Sequence, residues 1–428
     1  MEPSHKIIFF TNSFRIGIMT PVLSLVLLSH GATLKTLSLC IGIFAAMVVV
    51  LELPSGILTD FIGRKRIFLI SQCFILCNFL LILFSRHFLL LAVACGFQGM
   101  GQAFSSGSIE VLEIESYIKE NGEEGIPKIS STLAVLECAG LASGSLCGGF
   151  LGYFDPTYTL LLTVCILLEF LLLTLTVLFV KETWEKPMDG TPAVQLKNQI
   201  RSLFSSIQHS KIVMTILAMS AMLGLGLCTI ETYWQPTLKL YLPEHLSWVF
   251  GIINCLGYFG ASLGSKGAEQ LWKYSHASEE TGRSMMGYWS LRLLLPFIIL
   301  SLGLCRNIFL FIFLFVLTYT VLGAGNLFEN TILHASIENS HRSSMLSLSS
   351  LSVRSGAILT SVLGGLILTE FSLTYVWILL SATMGAGILL CMVLYRGVGH
   401  NAPARRILRF IGRVGKGEDD GGADSEQT

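Results

Sequence analysis

Residues 160–180 read LLLTVCILLEFLLLTLTVLFV, an apolar run broken by one charge, Glu169. A helix of that length rises about 30 Å at 1.5 Å per residue, which is the thickness of a bilayer's hydrocarbon core. Strands of a membrane β-barrel need only about ten residues and alternate in polarity. The run is therefore a spanning helix. Eleven more runs of this kind follow the chain, giving twelve at 7–29, 37–59, 67–85, 88–112, 129–152, 158–180, 211–235, 247–270, 285–304, 308–333, 344–368 and 372–395. Of the 428 residues, 52% are hydrophobic and only 13% charged, against about 25% charged in a soluble domain. A water-soluble globule is excluded. The even balance of 28 basic and 28 acidic residues offers no field for polyanions, so nucleic acid is not a partner. The expectation is an all-α membrane protein whose first partner is the lipid bilayer. The first run is too long for a signal peptide's apolar stretch and lacks a small-residue cleavage site, so it reads as a span.

Basic residues set the orientation. With the amino terminus inside, twenty Lys and Arg fall in inside segments. Four (Lys35, Arg86, Lys239 and Arg306) fall outside and four (Arg15, Lys266, Arg292 and Arg354) within spans, which accounts for all 28. Both termini are thus expected in the cytoplasm, in a plasma (inner) membrane. The division reads as a first six-span bundle over 1–180, a linker over 181–210, a second bundle over 211–395 and a tail over 396–428. The linker carries an apolar stripe (Leu196, Ile200, Leu203, Phe204, Ile207) and the tail a basic stretch at 405–416. Both are expected to lie in the membrane interface, and the end of the tail is expected to be disordered. The eleven cysteines sit in spans or at span ends without metal-type pairing, and the nine histidines lie in loops or near span ends. No metal and no cofactor is expected, and no nucleotide-hydrolysis or zinc-protease signature is present. The chain is read as no enzyme.

A charge inside a span costs at least about 2.5–3.5 kcal/mol, so each needs a reason. Arg15, Glu52 and Glu137 lie seven or eight residues from the inner ends of spans one, two and five, about 10–12 Å deep. The expectation is that Arg15 pairs with Glu52 or Glu137 and leaves one carboxylate to titrate; the bland alternative is a static, fully paired network. Arg354 lies ten residues into span eleven. Glu231, near the outer end of span seven, is followed by Tyr233, Trp234, Gln235 and Pro236, which suit an interfacial belt or a ligand. Glu329 and Asn330 are further candidate polar contacts. Glu169 and Arg292, on spans six and nine, are expected to be structural or to snorkel, and Lys266 and Glu269 to pair or snorkel.

The loop between spans two and three reads GILTDFIGRKR over 56–66. Gly56-x3-Asp60-x2-Gly63-Arg64-Lys65, on the inside after the second span, resembles the signature loop of the major facilitator superfamily. The resemblance covers residues 6 to about 396. It implies two pseudo-symmetric six-helix bundles around a central cavity lined by spans one, four, seven and ten. It also implies a latch in which Gly56 permits close helix approach and Asp60 caps a helix of the other half. Arg64 would pair with an acid at the inner end of span four: Glu110, Glu113 or Glu115. The bland alternative is that Arg64, Lys65 and Arg66 are only positive-inside topology anchors. Weak repeats fit: Gly99-x-Gly101-x2-Phe104 matches Gly323-x-Gly325-x2-Phe328, and Ser145-x2-Gly148-Gly149 matches Ser361-x2-Gly364-Gly365.

Gly140-x3-Gly144-x3-Gly148-Gly149 resembles, without its usual proline, the glycine motif of exporters, the bacterial drug:proton antiporter group of that superfamily. Gln98-Gly99-x-Gly101 resembles another motif of that group, with Cys95 in place of its arginine. What the resemblance implies is a monomeric secondary transporter exporting a small amphipathic molecule or drug, coupled to protons. An importer or facilitator of a small, possibly anionic metabolite is the first alternative. A non-transporting scaffold or sensor is the second, disfavoured by the intact loop motif.

Overall fold

The computed structural model describes residues 3–106, 108–121, 126–182, 194, 196, 211–277, 281–335 and 342–398. Apart from Leu196, the apolar stripe expected in the linker lies outside the described residues, as does the basic tail. Within them the chain is helical. The first half comprises α1 (Pro3–Met19), α2 (Leu23–Ser29), α3 (Leu34–Ile62), α4 (Arg64–Phe84), α5 (Phe88–Ser105), α6 (Ile109–Asn121), α7 (Ile126–Phe154) and α8 (Thr159–Phe179). The second comprises α9 (Lys211–Lys239), α10 (Val249–Ala277), α11 (Thr281–Leu304), α12 (Ile308–Ala335), α13 (Arg342–Glu370) and α14 (Leu373–Val398). With α1–α2 and α5–α6 each taken as one segment, twelve segments follow one another, as the sequence predicts. Among the described residues nine are long and apolar enough to cross a membrane, and the α1–α2 pair, bent by 57°, makes a tenth. The other two are α10, diluted by Asn254, Lys266 and Glu269, and α11, whose apolar stretch covers only Tyr288–Leu304.

Local chemistry sets the helix ends. Thr33 and Thr36 form a reciprocal box at the start of α3, each side chain accepting the other's backbone N–H at 3.3 and 2.8 Å. Gly63 turns α3 into α4 at φ +99°, a region closed to residues with a Cβ. The glycine of the loop motif is thus a hinge of backbone shape.

The near end of the bundle is where α1 begins, and the far end is the opposite one. In the first half α1 packs on α7 and α8, α3 on α5, and α4 on α5 and α8. In the second α10 packs on α12, α9 on α13 and α14, and α11 on α12 and α14. Between halves α3 packs on α13, α7 on α10, and α2 on α9. The sequence repeats mark equivalent contacts. A Cβ at Gly99 would lie 2.6 Å from Phe44 O of α3, and one at Gly323 would overlap Ala261 O of α10. Gly148 faces Ile18 of α1, and Gly364 faces Tyr233 of α9. Their neighbours Gly149 and Gly365 turn to the other half, against Gly251 and Lys35.

The exporter-like motif has a packing explanation in these contacts. Gly140, Gly144 and Gly148 let the backbones of α7 and α1 touch, and Gly149 lets α7 meet α10. Gly56 differs from expectation: among the described residues a Cβ there meets nothing within 4 Å, so it makes no close approach to them in this conformation. Gly148→Val forces a side chain into Ile18 O and is expected to lower stability by about 3 kcal/mol. Gly56→Ala should leave it unchanged or slightly raised. Thermal unfolding in detergent measures both.

Candidate functional site

A cavity of about 450 Å³ lies between the halves. Five of the predicted charged and aromatic residues meet on its wall: Arg15, Glu137, Glu231, Trp234 and Arg354. They come from α1, α7, α9 and α13, elements separated by up to 339 positions in sequence (354 − 15). Phe44, Phe79, Tyr258 and Tyr319 add aromatic faces, and Asn78, Gln98, Gln102 and Asn254 add amides. Glu137 and Glu231 are accessible from the cavity, whereas Arg15 reaches its wall almost wholly buried. The guanidinium of Arg354 sits 5.5 Å from the Phe44 ring, a cation–π contact across the two halves. Trp234 is wedged against Phe315 and Phe250, with ring centroids 4.8 and 5.6 Å away. It forms the cavity floor and does not lie in an interfacial belt.

The expected partner of Arg15 is corrected. Its Nε lies 3.1 Å from Glu169 Oε2 of α8, and its Nη2 donates to Asn12 Oδ1 at 2.9 Å. Glu169 has no exposed surface. A span that looks peripheral in sequence order turns this one residue inward, because α8 packs on both α1 and α4. Glu52 and Glu137 are left without that arginine. Glu52 lies off the cavity, and among the described residues its buried Oε2 has no hydrogen-bond partner.

Glu329 is likewise not a cavity residue. Its Oε2 accepts from Arg292 Nη2 at 2.7 Å and from Tyr288 OH at 3.3 Å, and its Oε1 accepts from Ser220 Oγ at 2.6 Å. Arg292 also donates to Asn326 Oδ1 at 3.1 Å. The network ties α9, α11 and α12 together, so Arg292 is buried and paired and does not snorkel. Gly325 makes room for it: a Cβ there would lie 2.6 Å from its guanidinium, where the equivalent Gly101 faces Ile75. The side chains of Asp60 and Asn330 lie outside the described residues.

At the near end the loop motif makes contacts within the first half. Arg64 binds Glu115 of α6 through Nε and Nη2 at 3.0 and 2.8 Å. The N–H groups of Arg64 and Lys65 donate to the carboxylate of Glu182 at 2.6 and 3.0 Å, an anion on a helix N-terminus. Lys65 Nζ donates to Val177 O at 3.0 Å. Glu113 instead pairs with His5 at 2.6 Å, and Glu110 is exposed. At the far end the halves are bonded to each other. Ser38 and Tyr233 hydroxyls meet at 2.6 Å, Asn254 Nδ2 donates to Ser145 Oγ at 2.9 Å, and Phe150 stacks on Trp248. All eleven cysteines are free, and no cluster of metal-ligating side chains occurs among the described residues.

Residues 7–275 match the family model of the Major Facilitator Superfamily. The chain belongs to that superfamily of membrane transporters. Among solved structures, the nucleoside transporter NupG is similar with a TM-score of 0.71 at 13% identity, over 92% of this chain and 98% of that one. A bacterial homolog of the human lysosomal transporter Spinster, solved inward-facing and unoccupied, gives 0.64 at 13% identity, over 96% of each chain. No curated protein matches the sequence.

Sequence reasoning missed Glu169 and Arg292 as ion-pair partners, and Asn78, Asn254, Tyr258 and Tyr319 as cavity residues. A lone amide in an apolar span was the available signal for the two asparagines. Removing one member of a buried pair leaves the other charged and unmatched. Glu169→Leu is therefore expected to cost about 3–5 kcal/mol, and adding Arg15→Leu should restore most of it. Thermal unfolding of the single and double variants reads the coupling.

Proposed function

We propose that this chain moves a small amphipathic solute through the central cavity by alternating access, exporting it in exchange for protons. The observation that carries the reading is the charge of the cavity wall. Glu169 neutralises Arg15, so Glu137 and Glu231 face one remaining arginine, Arg354. Among the described residues one carboxylate is in excess, set among the faces of Phe44, Phe79, Trp234, Tyr258 and Tyr319. A cation with an apolar body fits such a wall. A proton that competes for the same carboxylate would couple its release to a gradient. An anionic solute has less support, since Arg15 is already paired. The distribution of basic residues supports both termini in the cytoplasm, the short outer loops suit a plasma (inner) membrane, and a monomer satisfies the packing described.

A second reading is uptake of an uncharged, ring-bearing metabolite. The amides of Asn78, Gln98, Gln102 and Asn254 beside aromatic faces, and the likeness to the nucleoside transporter NupG, favour it. Proteoliposomes carrying an imposed pH gradient separate the two, with a fluorescent lipophilic cation and a radiolabelled nucleoside as probes. Gradient-driven movement of the cation is expected, with Glu137→Gln lowering it at least tenfold and removing its pH dependence. Nucleoside movement without cation movement would replace the first reading by the second. A Glu137→Gln variant that still follows the gradient would remove the proton role of that residue.

A further inference from the structure

The bend between α1 and α2 falls at Thr20-Pro21, and α9 carries Gln235-Pro236 at the matching far-end position. In an unbroken helix Thr20 C=O and Ser24 N–H would bond each other, being four residues apart. Here they are separated, and the side-chain amide of Gln235 stands between them. Its Oε1 accepts from Ser24 N at 2.8 Å, and its Nε2 donates to Thr20 O at 2.8 Å. The exchange is mutual. Pro236 has no N–H for Thr232 C=O, four residues earlier, and Ser24 Oγ donates to that carbonyl at 2.9 Å. Ser24, Thr232 and Gln235 are each at most 2% exposed, while Thr20 is half-buried at the cavity edge, so these polar groups depend on one another for most of their pairing.

We infer that Gln235 is a positioning residue for the transport cycle, a latch whose amide replaces one rung of the first span's helix and so holds that span bent and the far end closed. When the halves part, the amide withdraws, and Thr20 and Ser24 recover a partner by bonding each other as α1 and α2 straighten. The bend and the closed gate are then a single state, in which either one requires the other. Asn254–Ser145 and Ser38–Tyr233 also join the halves, but neither completes a broken backbone. This inference rests on the alternating-access reading above.

The test is the distance between spin labels at Arg86→Cys and Arg306→Cys, both exposed at the far end. A near-end pair, Arg66→Cys and Met214→Cys, accompanies it. Both are placed in the full chain on a cysteine-free background of unchanged Tm, in lipid nanodiscs. Gln235→Leu removes two hydrogen bonds and is expected to raise the ratio of long to short far-end distances about tenfold. Ser24→Ala should raise it about threefold. Pro21→Ala allows a continuous helix with no gap to fill. In that background Gln235→Leu should change the ratio less than twofold, the non-additivity of a shared interaction.

A Gln235→Leu ratio within twofold of the parent, or a tenfold effect repeated unchanged in the Pro21→Ala background, would overturn the latch. So would a loss of Tm with no shift in distance, which marks a purely structural residue. If neither pair changes distance in the parent protein with pH, with solute or in any variant, the alternating-access reading fails instead.

Discussion

Inside a bilayer no water stands ready to pair a backbone N–H or C=O, so every such group must be satisfied by protein. Much of this molecule's architecture answers that demand. Regular helices meet it residue by residue. Where a helix is broken, the missing partner has to come from a neighbour, and for Thr20 and Ser24 at the α1–α2 bend and for Thr232 before Pro236 it comes from the opposite half. Where a helix begins at the near end, Glu182 supplies the acceptor for two free N–H groups of α4. The same constraint acts on side chains. Arg15 and Arg292 survive in apolar spans because Glu169 and Glu329 are placed within bonding reach.

The two buried pairs give the halves different characters. The Arg292–Glu329 network gathers α9, α11 and α12 around one carboxylate, with Tyr288, Ser220 and Asn326 as further members. In the first half Arg15 of α1 pairs with Glu169 of α8 and lies over the Phe79 ring of α4, close to the cavity. The charges that remain on the cavity wall are therefore few. Glu137, Glu231 and Arg354 are what a solute meets, and aromatic rings and amides fill the rest.

The fold was legible in the sequence because spans, loops and basic residues follow from transfer free energy alone. Among the described residues the twelve apolar runs correspond to twelve helical segments, ten of them long and apolar enough to span if the bent pair counts as one, and the weak Gly99/Gly323 and Ser145/Ser361 repeats became equivalent helix contacts. The cavity was legible in part: Arg15, Glu137, Glu231, Trp234 and Arg354 were readable as costly or amphipathic residues in apolar surroundings. Their partners were not. Pairing depends on which face of α8 or α11 turns inward, and a span that is apolar all round gives no periodicity from which to read that face. For this reason Glu169 and Arg292 read only as structural or snorkelling residues, Glu52 as a partner of Arg15, and Glu329 as a cavity polar. Gln235 was hidden differently, since its role depends on a gap in another helix 211 positions away.

Gly101 and Gly325 occupy matching places, yet one faces Ile75 and the other the guanidinium of Arg292. What the duplication repeats there is a socket, a hollow left by a missing Cβ against the neighbouring helix. Its shape belongs to the backbone, and its contents are free to differ. One half fills it with oil and the other with a charge that needs a carboxylate nearby. A chain built from two copies of one bundle can in this way keep its symmetry of form while giving each copy its own chemistry. Altering the filling of one socket leaves its twin untouched.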